Sequence, residues 1–243
     1  MSMTVVPYKD EAIGKKQQVA KMFNAISGRY DFLNHFLSLG IDISWRKKAI
    51  KHLQNFKPKT ILDVATGTGD FAIEAMTLQP DKITGVDISE GMMDVGRKKI
   101  KSLGLGNKIT LQLGDSENLP FANNSFDAVI VAFGVRNFEN LDKGLMEIFR
   151  VLNNNGQLVV LEFSKPTKFP MKQLYNFYFN VILPIIGRLI SNDQSAYTYL
   201  PRSVRAFPDG DAFLKHLQEA GFKATQSQSL TFGICSLYTA SKN

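Results

Sequence analysis

The stretch Ile61-Leu-Asp-Val-Ala-Thr-Gly-Thr-Gly-Asp70 is a short apolar run that breaks into two closely spaced glycines just where a helix can begin. It reads as a buried strand followed by a turn that brings backbone N–H groups up to a ligand at a helix start. The turn alone does not choose the ligand, because Gly67-Thr-Gly69-Asp-Phe-Ala72 also satisfies the G-x-G-x-x-A variant of the dinucleotide fingerprint. Asp63 does choose. It stands inside the strand, four residues before Gly67, where an anionic pyrophosphate would meet a carboxylate. A cationic ligand suits that position better.

The next strands repeat the pattern. Lys82-Ile-Thr-Gly-Val-Asp-Ile88 ends in Asp87, eighteen residues after Gly69 and placed to accept hydrogen bonds from two ribose hydroxyls, with Ile88 beside it. Ile109-Thr-Leu-Gln-Leu-Gly-Asp115 ends in a carboxylate able to accept from an adenine amino group, and Ser116 follows. Ser125-Phe-Asp-Ala-Val-Ile-Val-Ala-Phe133 is a fourth strand. Any one of these aspartates could merely cap the helix after it, since Asp is a favoured N-cap residue. Three acidic strand ends in succession resemble the class I methyltransferases that use S-adenosylmethionine (SAM), a cofactor with an ammonium, a sulfonium and no phosphate. The cofactor-binding residues expected on this reading are Asp63, Gly67, Thr68, Gly69, Asp87, Ile88, Asp115 and Ser116.

A chain of 243 residues, 44% of them hydrophobic, is expected to form one α/β domain with room for decoration. Residues 10–56 are helical in pattern and aromatic-rich, a cap carrying Phe23, Tyr30, Phe32, Phe36 and Trp45. From 60 to 164 strands alternate with helices near 70–79, 91–103 and 139–152, the pattern of a parallel doubly wound core. The fifth strand is Gly156–Ser164, entered through a helix end and a turn at Arg150-Val-Leu-Asn-Asn-Asn155. Residues 165–205 break the alternation. Within this insert the run from Leu174 to Ile190 is strongly apolar but interrupted by Pro184 and Gly187, and it carries Asn176, Asn180 and Arg188, too short and too polar for a comfortable membrane span. A greasy lid or a surface contact with a membrane, aided by Lys165, Lys168 and Lys172, fits better than a span; a buried helix pair is the plain alternative. A helix at 209–220 and strands at 222–231 and 233–241 make a C-terminal unit, 206–243. The resemblance to class I methyltransferases implies that this strand pair completes a seven-stranded sheet whose last strand is antiparallel.

One cysteine, Cys235, excludes a disulfide framework and points to a reducing compartment, and the N-terminus has no apolar signal-peptide core. His35, His52 and His216 are scattered, so no metal site is expected. The net charge of +7 is carried by dispersed helical runs such as Arg46, Lys47, Lys48 and Lys51, or Arg97, Lys98, Lys99 and Lys101, which read as solvated faces. Neither a nucleophilic cysteine near the turn nor an Asn/Asp-Pro-Pro-Tyr loop is present, and no nucleic-acid partner is expected.

Longer motifs are specific. Tyr30-Asp-Phe-Leu-Asn34 with Ser38 and Trp45, the DVATGTGD turn, Gly114-Asp-Ser-Glu-Asn-Leu-Pro-Phe121, Phe133-Gly-Val-Arg-Asn137, Leu161-Glu-Phe-Ser164 and Ser203-Val-Arg-Ala-Phe-Pro208 together resemble the menaquinone/ubiquinone biosynthesis C-methyltransferase family over nearly the whole chain. Two segments depart from the family pattern: Asp42 stands where a His is usual, and Asn153-Asn-Asn155 replaces a Lys-Pro-Gly turn, a neutral change because Asn tolerates left-handed backbone. The resemblance implies a Rossmann-like class I fold with an N-terminal helical cap and a lid insert after the fifth strand. It also implies methylation, from SAM, of a ring carbon of a polyprenylated quinol, with demethylmenaquinol the first choice. A methoxy-benzoquinol of ubiquinone biosynthesis is the alternative within the family, and a non-catalytic SAM- or lipid-binding module the alternative outside it. Arg136, following the fourth strand, is then expected to stabilise a phenolate, Asn137 to fix a hydroxyl or a water, and Tyr30 to close the pocket over the ring. The plain alternative for Arg136 is an ion pair with Glu139 or Asp142; His35 reads as structural. A cytoplasmic protein, peripheral at the inner face of the membrane and possibly homo-oligomeric, is the expected setting.

Overall fold

The computed structural model describes residues 5–8, 12–182, 185 and 195–243. Three helices come first, α1 (Lys15–Ile26), α2 (Tyr30–Leu37) and α3 (Ile41–Lys51). Then β1 (Thr60–Val64), β2 (Lys82–Asp87), β3 (Ile109–Leu113), β4 (Phe126–Ala132) and β5 (Leu152–Phe163) alternate with α4 (Asp70–Ala75), α5 (Glu90–Ser102) and α6 (Leu141–Val151). After β5 the chain forms α7 (Met171–Phe177), which runs into a π-turn (Tyr178–Ile182), then α8 (Ser195–Ala206), α9 (Asp211–Glu219), β6 (Lys223–Leu230) and β7 (Cys235–Ser241).

The seven strands form one sheet in the order β3-β2-β1-β4-β5-β7-β6, with β1 to β5 parallel and β7 antiparallel to both of its neighbours. The strand order reverses between β1 and β4, so the crevice for a ligand lies at their carboxyl ends. The central strands are apolar on both faces because helices cover both. One face packs Trp45, Phe71, Met93 and Ile100 against the sheet, and the other packs Leu145, Ile148, Phe213 and Leu217. Ser89 and Asn140 start α5 and α6 by accepting from the amides of Met92 and Lys143.

β5 begins earlier than the sequence pattern suggests. Phe126 pairs with Leu152 and Ala128 with Gln157, so the asparagine turn is absorbed as a bulge within the strand, with Asn155 at φ 63°. The insert's Pro184, Ile186, Gly187 and Arg188 lie outside the described residues, as does the side chain of Asn34. Among the described residues no helix is long and apolar enough to cross a membrane.

Candidate active site

The turn after β1 has the backbone its glycines promised. Ala65, Gly67 and Gly69 all have positive φ, and Gly69 opens α4. Asp87, at the end of β2, steadies the turn: its Oδ2 accepts from the Gly67 amide at 2.8 Å and its Oδ1 from the Ser89 amide at 2.8 Å. The loop leaving β4 comes so close that a Cβ on Gly134 would sit 2.6 Å from the Cβ of Ala65. Between them lies a cavity of about 650 Å³, lined among others by Gly67, Asp87, Ile88, Asp115, Ser116 and Asn137.

The expected cofactor set therefore divides. Gly67, Asp87, Ile88, Asp115 and Ser116 face this cavity, whereas Asp63, Thr68 and Gly69 are not among its lining residues. The Thr68 hydroxyl points instead into an ion network, donating to Asp31 at 2.5 Å while Lys99 reaches it at 3.2 Å. Asp63 lies beneath the turn, 1% exposed; Oδ2 accepts from Thr66 at 2.6 Å and Oδ1 makes no well-aligned hydrogen bond. Burial pushes its carboxyl up to about 7, more than the Thr66 hydroxyl and the Ala72 amide can pull it down. A buried carboxylate with an idle oxygen, two carboxylates on the cavity wall and a cradle of positive-φ residues fit a cofactor that brings a cation, ribose hydroxyls and an adenine. Asp115 is held by Lys16 of α1 at 2.6 Å, a contact the sequence did not announce.

The helices of 15–51 are fastened to this edge by charges. Lys15 Nζ donates to the carbonyls of Phe138 at 2.6 Å and Arg136 at 3.2 Å; burial draws its ammonium down to about 8 against the pull of Glu139 and Glu117. Glu117, itself buried, accepts from the amides of Glu139 and Asn140 and so anchors the start of α6. On the other side Asp42 accepts from Ser38 and Arg46, and His35 bridges Asp42 at 2.9 Å and Asp70 at 3.5 Å. Arg46 and Lys99, read from the sequence as parts of solvated faces, are thus structural ions. Arg46 is buried against Asp42, and Lys99 pairs with Asp31 and Asp70 at 2.5 Å each. Asp42 therefore anchors the helices.

A second cavity of about 620 Å³ adjoins the first, and the two share Phe23, Tyr30 and Phe133. Tyr30 lines both cavities. Its hydroxyl end is enclosed, which pushes the phenol up to about 12, so it is a hydrogen-bond donor and not a base at neutral pH. Arg136 lines the second cavity, Asn137 the first. The ion-pair partner of Arg136 is neither Glu139 nor Asp142. It is Glu162, fully buried at the end of β5, 2.7 Å from the guanidinium. Asp142 instead pairs with His216 at 2.5 Å. Glu162 also accepts from the amides of Arg136 and Phe163, while Arg136 donates to the Phe133 carbonyl. Arg136 Nε and Asn137 Oδ1 are left buried without partners. Glu162 had a legible signal, a carboxylate closing an otherwise apolar strand, the same signature as Asp63.

A third cavity of about 930 Å³ continues from the second through Phe163 and Leu200. Trp45, Met171, Leu174 and Phe179 make its walls apolar, and Trp45 is fixed by donating to the Thr231 hydroxyl at 2.8 Å. Trp45, Phe133 and Phe163 meet ring to ring at 4.6 to 6.2 Å where the cavities join. Leu39 and Leu174 belong to its lining and are 84% and 57% exposed, so the cavity opens on a greasy rim.

A model of the ubiE/COQ5 methyltransferase family matches residues 11–242. The chain belongs to the ubiE/COQ5 methyltransferase family. Among curated relatives in this family, a demethylmenaquinone methyltransferase of Bacteroides fragilis is 54% identical over 98% of this chain and 97% of its own length. A ubiquinone/menaquinone biosynthesis C-methyltransferase of Geotalea daltonii is 45% identical over 94% and 97%. The fold matches a solved SAM-dependent methyltransferase of Thermotoga maritima, described as a possible histamine N-methyltransferase, at a TM-score of 0.65 and 18% identity over 92% of this chain and 99% of that one. It also matches a phosphoethanolamine N-methyltransferase of Haemonchus contortus, solved with SAM, at 0.58 and 16% over 87% and 59%. The seven-stranded class I sheet expected from the sequence is thus the one the ubiE/COQ5 chain has.

Proposed function

We propose that this protein methylates a ring carbon of a polyprenylated quinol, demethylmenaquinol, in menaquinone biosynthesis. One observation carries the reading: a cofactor cleft ending in carboxylates opens, past Phe133, into a cavity with idle polar atoms, which itself opens into an apolar cavity. A polar ring bearing a long hydrocarbon chain has that shape. SAM, when bound, supplies the electrophilic methyl group, and Asp63, Gly67, Thr68, Gly69, Asp87, Ile88, Asp115 and Ser116 are the residues we assign to holding it, Asp63, Thr68 and Gly69 from beneath the turn.

The protein's own groups then have to raise the nucleophilicity of a carbon. Ionising a phenolic hydroxyl, its proton leaving to water, pushes electron density onto the adjacent ring carbon, which gains the methyl group and then gives up its ring proton to water to restore the aromatic ring. Asn137 Oδ1 is free to accept a hydrogen bond from that hydroxyl and orient it. The charge of Arg136 is already balanced by Glu162, so the pair acts as a fixed dipole whose idle Nε–H can donate to the oxygen as it becomes negative. Tyr30, held protonated, donates from the cap side. Phe23, Phe133 and Phe163 keep water from the reacting centre. Residues 10–56 serve as the cap, 60–164 as the cofactor core and 165–205 as the lid. The exposed Leu39, and in the insert the exposed Leu174 and Phe177 with Lys168 and Lys172, suit a surface that receives the chain from a bilayer at the cytoplasmic face, whereas Lys165 is tied to Asp209 at 2.8 Å.

The test is anaerobic turnover with SAM and either dithionite-reduced or oxidised prenylated substrate, read by mass spectrometry. The quinol is expected to gain one methyl group and the quinone none, because the oxidised ring has no hydroxyl to ionise. Equal rates for both redox forms would sink the reading.

A further inference from the structure

Two tyrosine hydroxyls have no place in the chemistry so far. Tyr199, on α8, is 2% exposed and lines the second cavity; Tyr175, on α7, lines the third. Both hydroxyl oxygens are buried without any hydrogen-bond partner. Buried polar groups are almost always satisfied, and each orphan is destabilising, so two of them, one in each of two adjoining cavities, mark a place where a ligand completes the bonding. The second and third cavities share Phe163 and Leu200, and the Arg136 guanidinium acts on both phenols. Burial outweighs that charge and pushes the Tyr199 phenol up to about 12 and the Tyr175 phenol upward too, so each hydroxyl has a proton to donate.

Resting on the quinol reading, the chemistry of the substrate says which atom belongs there. A p-quinol carries two ring oxygens. The one beside the methylated carbon must lie toward the cofactor cavity, near Asn137. The methylated carbon and the prenyl-bearing carbon are neighbours in the ring, so the second oxygen sits beside the carbon from which the hydrocarbon chain leaves. That oxygen must lie where the ring cavity gives way to the tail cavity. We propose that the Tyr175 and Tyr199 hydroxyls form the seat of this second, non-reacting ring oxygen and so fix which of the two faces and edges of the ring meets the methyl donor. The two tyrosines are thereby specificity-determining residues: they distinguish a para-diol from a simple phenol and set the register of the prenyl chain against the ring.

The conservative variants Tyr199→Phe and Tyr175→Phe remove one oxygen each. They are assayed on the prenylated quinol and on its monophenol analogue, in which the oxygen beside the prenyl-bearing carbon is replaced by hydrogen. On the quinol each variant is expected to raise KM about three- to tenfold, the usual worth of one hydrogen bond, with SAM affinity unchanged. On the monophenol, variant and wild type should have the same KM, because the oxygen in question is missing from the substrate. Thermal midpoints should stay level or rise, since an orphaned hydroxyl has been removed from the interior. An unchanged KM on the quinol, or an equal rise on both substrates, would overturn the proposal; the second result would mean that the hydroxyls serve packing alone. A wild-type enzyme that turns over neither compound would bring down the quinol reading itself, whereas normal wild-type turnover with indifferent variants removes only the tyrosine seat.

Discussion

The cofactor side and the substrate side of this molecule treat their polar atoms in opposite ways. Along the strand ends Asp87, Asp115 and Glu117 are satisfied by backbone amides and by Lys16, so the wall is built before any ligand arrives. Around the ring and tail cavities Arg136 Nε and the hydroxyls of Tyr175 and Tyr199 are buried and idle. One side is largely preorganised, and the other is completed by what binds. Asp63, with its unpartnered oxygen under the glycine turn, and Asn137, whose Oδ1 is idle at the wall of the first cavity, are the exceptions on the cofactor side.

The largest test of this contrast is the Arg136–Glu162 pair, a buried ion pair on the substrate side. Arg136→Ala leaves Glu162 as an unpaired carboxylate at 0% exposure and should lower unfolding stability by about 3–5 kcal/mol in denaturant titrations. Replacing both residues, as Arg136→Met with Glu162→Leu, should recover most of that stability while turnover stays depressed. A single Arg136→Ala variant as stable as wild type would show that the pair is not a structural ion pair. Loss of turnover in Arg136→Ala alone would be ambiguous, which is why the double variant matters.

The Asp63 exception can be sharpened by pH. Its folded carboxyl titrates at about 7 against about 3.9 in an unfolded chain, so the folded state holds the extra proton between those values. The contribution of Asp63 to the stability of the ligand-free protein is then greatest below about pH 4, falls as pH rises towards 7, by up to about 4 kcal/mol, and is level above it. A cationic ligand favours the ionised carboxylate, so the Asp63 contribution to SAM affinity should rise with pH over the same window. Asp63→Asn should remove this component from both profiles in calorimetry at pH 5 to 8. Profiles of wild type and Asp63→Asn that run parallel would place the carboxyl in an ordinary, solvated state.

On the preorganised wall, Asp87→Ala should weaken SAM binding by about 1.5–3 kcal/mol. It should also loosen the turn, because the Gly67 and Ser89 amides lose their acceptor. Unchanged affinity in calorimetry would mean that the ribose is held elsewhere. The smallest effect belongs to the rim. Leu174→Ser and Ile185→Ser, both at exposed positions, should raise KM about two- to fivefold for a long-chain quinol and less for a short-chain analogue. Equal effects on both chain lengths would assign these residues to plain packing.

The same contrast explains what could be read from the chain. The cofactor edge is written in short spans: a strand, two glycines and three carboxylates at strand ends within residues 61 to 115. Five of the seven strands follow from alternation and the last two from a closing strand pair, whereas the antiparallel β7 comes from the family resemblance and the strand order from the structure alone. The ring cavity is assembled from residues 22–30, 133–136, 163 and 196–200, which no periodicity connects. Glu162 was missed as the partner of Arg136 because carboxylates close in sequence, Glu139 and Asp142, drew attention from one brought close by a neighbouring strand. Arg46 and Lys99 were hidden among exposed lysines on the same helices; Arg46 has a local partner, Asp42 one turn earlier, whereas Lys99 meets Asp31 and Asp70 only through tertiary packing.

The cavities stand in a row, and the first and third share no lining residue. Among the described residues they meet through the middle one, where Phe133, with a left-handed backbone at φ 58°, lines both the first and the second. On the proposed reading the cofactor would enter at the strand ends and the prenyl chain at the greasy rim by Leu39, so that neither crosses the other's seat.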